Sequence, residues 1–393
     1  MKRFTFYVLL FALWASACSS PRPTLSVPPT LAPTAVGGGG PAPTITLGDA
    51  PTAEPAIPTA LAATATLAPT ATPPAVSDTA SCPFTGLPVS ASALAQRRPI
   101  LVQLGNSNPE RPQFGLAQAD VVFETVAEGG ITRFSAIYLC QDAAEIAGVR
   151  SGRLIDLQLV PIFRAIFMHV GASAPVQAMF EASLLIGPNS LDYFRNHPGY
   201  VQHPERRRAP FDVFTSADLA WAGARQQGIA IPGEPPPTLN VNANPLAGGT
   251  PVASITIRHH SSYWVRWKWD EAGGVWTRHI TSDTNPNGDA PHVDAATGRP
   301  LTAENIVIIR ATHRQTDIIE DSGGSRSIEV ELIGTGDAVF LRDGQMYEGT
   351  WNRANVTDWF TLTLKDGASF AFSPGNSYIH FFQPDKQLDV VTR

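Results

Sequence analysis

Between Ser19 and Ala80 the chain consists almost wholly of Pro, Thr, Ala, Gly and Ser; its only charged residues there are Arg22, Asp49, Glu54 and Asp78. Such a stretch has too few large apolar side chains to offset the entropy of ordering it, so it cannot build a core. Gly37 to Gly40 form a flexible joint, while Pro28-Pro29 and Pro73-Pro74 favour extended polyproline II. A flexible coil of this length spans roughly 45 Å, and fully extended polyproline II about 190 Å. Residues 19–80 therefore read as a disordered tether. The chain beyond it is long enough for two modest domains.

Ahead of the tether, residues 1–18 read MKRFTFYVLLFALWASAC. Lys2 and Arg3 give a positive start, Phe4 to Trp14 an apolar stretch of signal-peptide length, and Ala15-Ser16-Ala17 small residues before Cys18. This arrangement resembles a lipobox, the bacterial lipoprotein signal whose cysteine is lipidated; Ala15 departs from the commoner Leu. The alternative is an ordinary secretory leader cleaved near the same place. Either way the segment is too short to read as a retained membrane helix. The expected location is extracytoplasmic, anchored to the bacterial cell membrane through Cys18.

The chain has three cysteines. With Cys18 as anchor, Cys82 and Cys140 remain, and an oxidising compartment permits a disulfide between them. Two unpaired thiols are the other reading. No CxxC spacing supports a redox or zinc role. A net charge of −6 lacks the basic face that nucleic-acid binding needs.

Beyond the tether the expected class is α+β. Residues 98–104, 119–126 and 131–139 are strand-like, with Gly129-Gly130 as the connection between the last two. Helices are predicted over 152–159 with Ser151 as cap, over 174–185 opened by Pro175, and over 216–227 capped by Ser216. This alternation predicts an α/β domain over 82–232. The Pro-rich run at 233–251 reads as a linker. From 252 to 388, short alternating segments such as YWVRWKWD, NIVIIRAT and SYIHFF predict a β-rich meander or sandwich-like domain. Asp343-Gly344 and Asp366-Gly367 supply hairpin turns.

Several motifs recur in a recognisable order: Cys82-Pro83-Phe84-Thr85-Gly86-Leu87, Arg111-Pro112-Gln113-Phe114-Gly115-Leu116, Ala119-Asp120-Val121-Val122-Phe123-Glu124, Glu128-Gly129-Gly130-Ile131-Thr132-Arg133-Phe134, Val149-Arg150-Ser151-Gly152-Arg153, Pro291-His292-Val293-Asp294 and Gly349-Thr350-Trp351. Together they resemble the YerB-like bacterial lipoproteins, a two-part domain of unknown function (DUF3048). The resemblance covers about residues 82–384. It implies an anchored envelope protein and brings no established reaction.

Three constellations carry candidate chemistry. Glu124, Glu128, Arg133, Arg150 and Arg153 form an anion or ligand site in one reading and an internal ion-pair network in the other. Asp283, Asn285, Asn287 and Asp294 copy a calcium-loop spacing, although Pro286 and the flanking strands favour a polar hairpin. Trp264, Trp267, Trp269 and Trp276 offer either a sugar-stacking face or ordinary core packing. The nine histidines show no metal spacing, and no catalytic or nucleotide-binding motif is present. No cofactor is expected. The leading functional reading is a non-enzymatic, lipid-anchored protein that binds an envelope protein or cell-wall component. The alternatives are an envelope enzyme acting on a phosphate- or pyrophosphate-bearing glycan or lipid, with Arg150 and Arg153 on the anion, and a glycan-binding module.

Overall fold

The structure, a computed structural model, describes residues 78–282 and 285–393. The expected leader and tether lie outside these residues, apart from the last few tether positions.

The N-terminal part contributes β1 (Ile100–Gly105), β2 (Val121–Val126), β3 (Thr132–Tyr138), α1 (Asp156–Phe163), β4 (Ile166–His169), α2 (Ala174–Ala182), β5 (Ser190–Asp192) and α3 (Ala217–Gln226). The C-terminal part is mostly strand. Its principal elements are β6 (Thr250–His260), β7 (Tyr263–Asp270), β8 (Val275–Ser282), β9 (Asn285–Pro291), β10 (Asn305–Arg310), β11 (His313–Ile319), β12 (Arg326–Val330), β13 (Gly334–Arg342), β14 (Gln345–Arg353) and β15 (Ser377–Phe382). The fold is thus α+β, and among the described residues the helices are confined to the first part.

One sheet runs through both parts, in the order β9-β8-β7-β6-β14-β13-β10-β15-β2-β3-β1-β4-β5. The joint is β15. It lies parallel to β10 on one side, with Ile306 opposite Tyr378, and parallel to β2 on the other, with Phe123 opposite Ile379. The hairpin β11–β12 forms a small sheet of its own.

Both faces of the N-terminal strands are buried, which explains why they read as continuous apolar runs. Ile100, Val102 and Leu104 of β1 share one face with Ala220 and Trp221 of α3. Leu101 and Phe123 point the other way, against Phe163 of α1 and Phe180 of α2.

Local signals account for several boundaries. Ser216 caps α3 through a hydrogen bond from the Leu219 amide, 3.1 Å. Asp343 and Gly344 both adopt positive φ (53° and 69°) in the two-residue turn between β13 and β14. The first predicted helix begins later than expected, at Asp156, and Ser151 does not cap it. The Asp156 carboxylate instead accepts the Arg153 amide at 2.8 Å, giving the entry its own local anchor. The second helix stops at Ala182, where Ser183 turns extended.

Candidate functional site

Period-two alternation on β2 places Glu124 on the same face as Val122, inside the molecule. Its side chain is fully buried. One carboxylate oxygen accepts hydrogen bonds from the hydroxyls of Thr132 (2.7 Å) and Tyr263 (2.8 Å). The other lies 2.8 Å from the Arg278 guanidinium and 3.2 Å from Nδ1 of His380. Tyr263 in turn accepts from Asn106 and Arg278. Arg278 Nε donates to Nδ1 of His292, so the neutral His292 ring carries its proton on Nε2, 2.7 Å from the Gln113 carbonyl oxygen. Both halves supply this buried polar seam.

Burial alone would raise the Glu124 pKa. Arg278 and His380 outweigh it and hold the carboxyl well below its usual range. Burial and the neighbouring Arg278 also push the His292 pKa well down, so the ring stays neutral.

The five residues expected to form an anion site occupy three places. Glu124 sits in the seam with Arg278. Glu128 accepts Arg153 Nε at 2.8 Å and Arg133 at 3.2 Å, while Arg153 also faces Glu320 at 3.6 Å. Arg150 pairs with Glu110 at 2.7 Å and lies over the Phe211 ring. Each of the three arginines therefore meets a carboxylate of the protein. Burial opposes the ionised Glu128, but its two guanidinium partners prevail and hold it at about 2.

Above Glu128 opens a cleft of roughly 570 Å³. The Gly129-Gly130 turn lines one side and the hairpin β11–β12 another, through Gln315, Arg326 and Ile328. His259, His260 and Lys386 complete it. The Lys386 ammonium donates to the His259 carbonyl at 2.7 Å. The His259 ring is buried, and neither ring nitrogen has a hydrogen-bond partner among the described residues. Desolvation pushes its pKa down to about 3.

The family patterns described as "Protein of unknown function (DUF3048) N-terminal domain" and its C-terminal counterpart match residues 84–230 and 254–379. The chain belongs to the DUF3048 family. A relative named "Putative lipoprotein YerB", from Bacillus subtilis (strain 168), is 30% identical over 313 residues, 79% of this chain and 88% of the relative. A crystal structure of the Bacillus subtilis YerB protein is similar with a TM-score of 0.67 and 25% identity, covering 80% of this chain and all of that one.

Within this DUF3048 chain the remaining sequence candidates fall out differently. Cys82 and Cys140 are disulfide-bonded, with their Cα atoms 6.0 Å apart. Cys18 lies outside the described residues, as do Asp283 and the side chains of Asn285 and Asn287. Asp294 turns its carboxylate onto the backbone amides of Ala117, Ala296 and Thr297, at 2.9–3.1 Å. Trp267 and Trp276 are fully buried and Trp264 nearly so, which makes them core residues, while Trp269 is half-buried against Trp276 and donates its indole N–H to Glu271. No described helix is long and apolar enough to cross a membrane.

Sequence reading missed the C-terminal members of the DUF3048 seam. Their signal is subtle: Arg278 shares a strand face with Trp276 and Ile280, and His380 interrupts the apolar run SYIHFF. A polar group on a buried strand face requires a partner, but the sequence does not say which.

Proposed function

We propose that the chain is a lipid-anchored extracytoplasmic binding protein, held by Cys18 and set off from the membrane by its tether. The folded body takes a polar envelope component, the size of a short glycan or peptide, in the cleft above Glu128. The cleft itself carries this reading. It has ordinary ligand-site size, is assembled from both family halves, and presents Lys386, Arg326 and the glycine turn beside buried groups with shifted pKa values.

Photo-crosslinking residues placed at Gln315 and Arg326 in intact cells should trap a defined adduct, whereas one at the remote, exposed Leu184 should not. Equal labelling at all three positions, or none, overturns the cleft assignment. The anchor is tested separately: labelled fatty acid should enter the wild type and be lost with Cys18→Ser.

A further inference from the structure

Behind the His259 wall of the cleft, three potential ligand groups converge from three strands. Glu124 on β2, His259 on β6 and His380 on β15 each offer one ligand atom, and these atoms lie within 4.8 Å of one another. All three side chains are buried. The Glu124 oxygen facing His380, Nδ1 of His380 and both nitrogens of His259 have no aligned hydrogen-bond partner. Glu124 and His380 face each other at 3.2 Å with Arg278 beside them, whereas the buried His259 ring beside them has neither nitrogen partnered among the described residues, which is costly unless something binds it.

We propose that Glu124, His259 and His380 bind a divalent transition-metal ion of the zinc class. Two imidazoles and one carboxylate suit such an ion, whereas calcium and magnesium prefer oxygen-only sets. His259 stays neutral when buried, so its lone pair is available. His259 borders the cleft, so the side of the site nearest solvent is its ring.

Two neighbours limit the affinity and give the site its signature. Arg278 already offsets Glu124, so the ion adds uncompensated charge, which weakens binding and favours an anionic further ligand such as hydroxide. Trp267 donates its indole N–H to Nε2 of His380 at 3.0 Å, which places the ring proton on Nδ1. Metal on Nδ1 moves that proton to Nε2 and breaks the Trp267 bond.

The test uses the untagged full chain in detergent, with Cys18→Ser so that no thiol competes. Titration with Co²⁺ alone should give one equivalent of visible d–d absorption, displaced by Zn²⁺, together with a change in tryptophan fluorescence. His259→Ala should weaken binding at least tenfold; the ring has no hydrogen bond to lose, and circular dichroism checks its fold. Trp267→Phe should bind roughly tenfold tighter, because no indole donor then competes for Nε2. Absence of stoichiometric binding overturns the proposal and leaves a buried-water position. Binding unchanged in His259→Ala overturns it equally.

Discussion

Asp156 and Glu128 are both acidic, both buried and close to the same arginine, yet they behave oppositely. Burial raises Asp156 to about 7, with Arg153 and Ser135 only partly countering it, while paired guanidinium groups hold Glu128 at about 2. The sign for Asp156 is set by proton binding. Its folded pKa lies above the unfolded 3.8, so the folded state binds more protons between the two values. Its contribution is fully present below 3.8 and is lost as pH rises to about 7. Glu128 acts the other way, adding stability above its unfolded 4.5 and losing it as pH falls toward 2. The unfolding free energy measured in urea should therefore fall between about pH 5 and about pH 7, by a few kcal/mol at most, and Asp156→Asn should flatten that fall. Parallel curves for the two proteins overturn the assignment. The charges around Glu128 were legible because the Glu and Arg residues cluster along the chain. Arg278 was not, because its partner Glu124 lies on a strand of the other half and nothing local marks the pair.

The connection between β2 and β3 is the element on which the cleft depends. Gly129 and Gly130 both hold positive φ, 70° and 74°. A Cβ on Gly129 would meet nothing within 4 Å, whereas one on Gly130 would come within 2.6 Å of the His260 ring. Gly129→Ala should cost about 1–2 kcal/mol from backbone strain alone. Gly130→Ala should cost more and also displace His260 at the cleft rim. Denaturant midpoints of the two variants compare them directly; equal losses reject the steric argument. Elements with strong local signals, such as the Ser216-capped helix and the Asp343-Gly344 hairpin, matched their expected places. The Ser151 cap failed because Asp156, five residues on, competes for the same entry turn with a better-placed carboxylate. Cys82 and Cys140 fasten the start of the folded body to the end of β3. Replacing both with Ala should lower stability by up to roughly 4 kcal/mol, measured as the unfolding midpoint of the oxidised protein. An unchanged midpoint counts against that constraint.

At the scale of the molecule, the sequence shows two segments of different texture, and the family patterns divide at the same place. What it does not show is that they share a sheet. Strand order is set by long-range pairing, and β15 carries no mark of the β2 edge it will cover. Separately produced residues 78–240 and 241–393 should therefore each lack a cooperative unfolding transition. Their co-expression should restore one, with β2 finding β15 across the break. A cooperative transition in residues 78–240 alone contradicts this.

The placement of β15 also sets a timetable. Ribosomes make the chain from its N-terminus, so residues 377–382, the strand between β10 and β2, appear after both of the strands they join. Until then β2 has an open edge, with Glu124 beside it waiting for His380. The central sheet closes only once this strand has been made, so a product that stops before residue 377 keeps an unpaired strand at its centre.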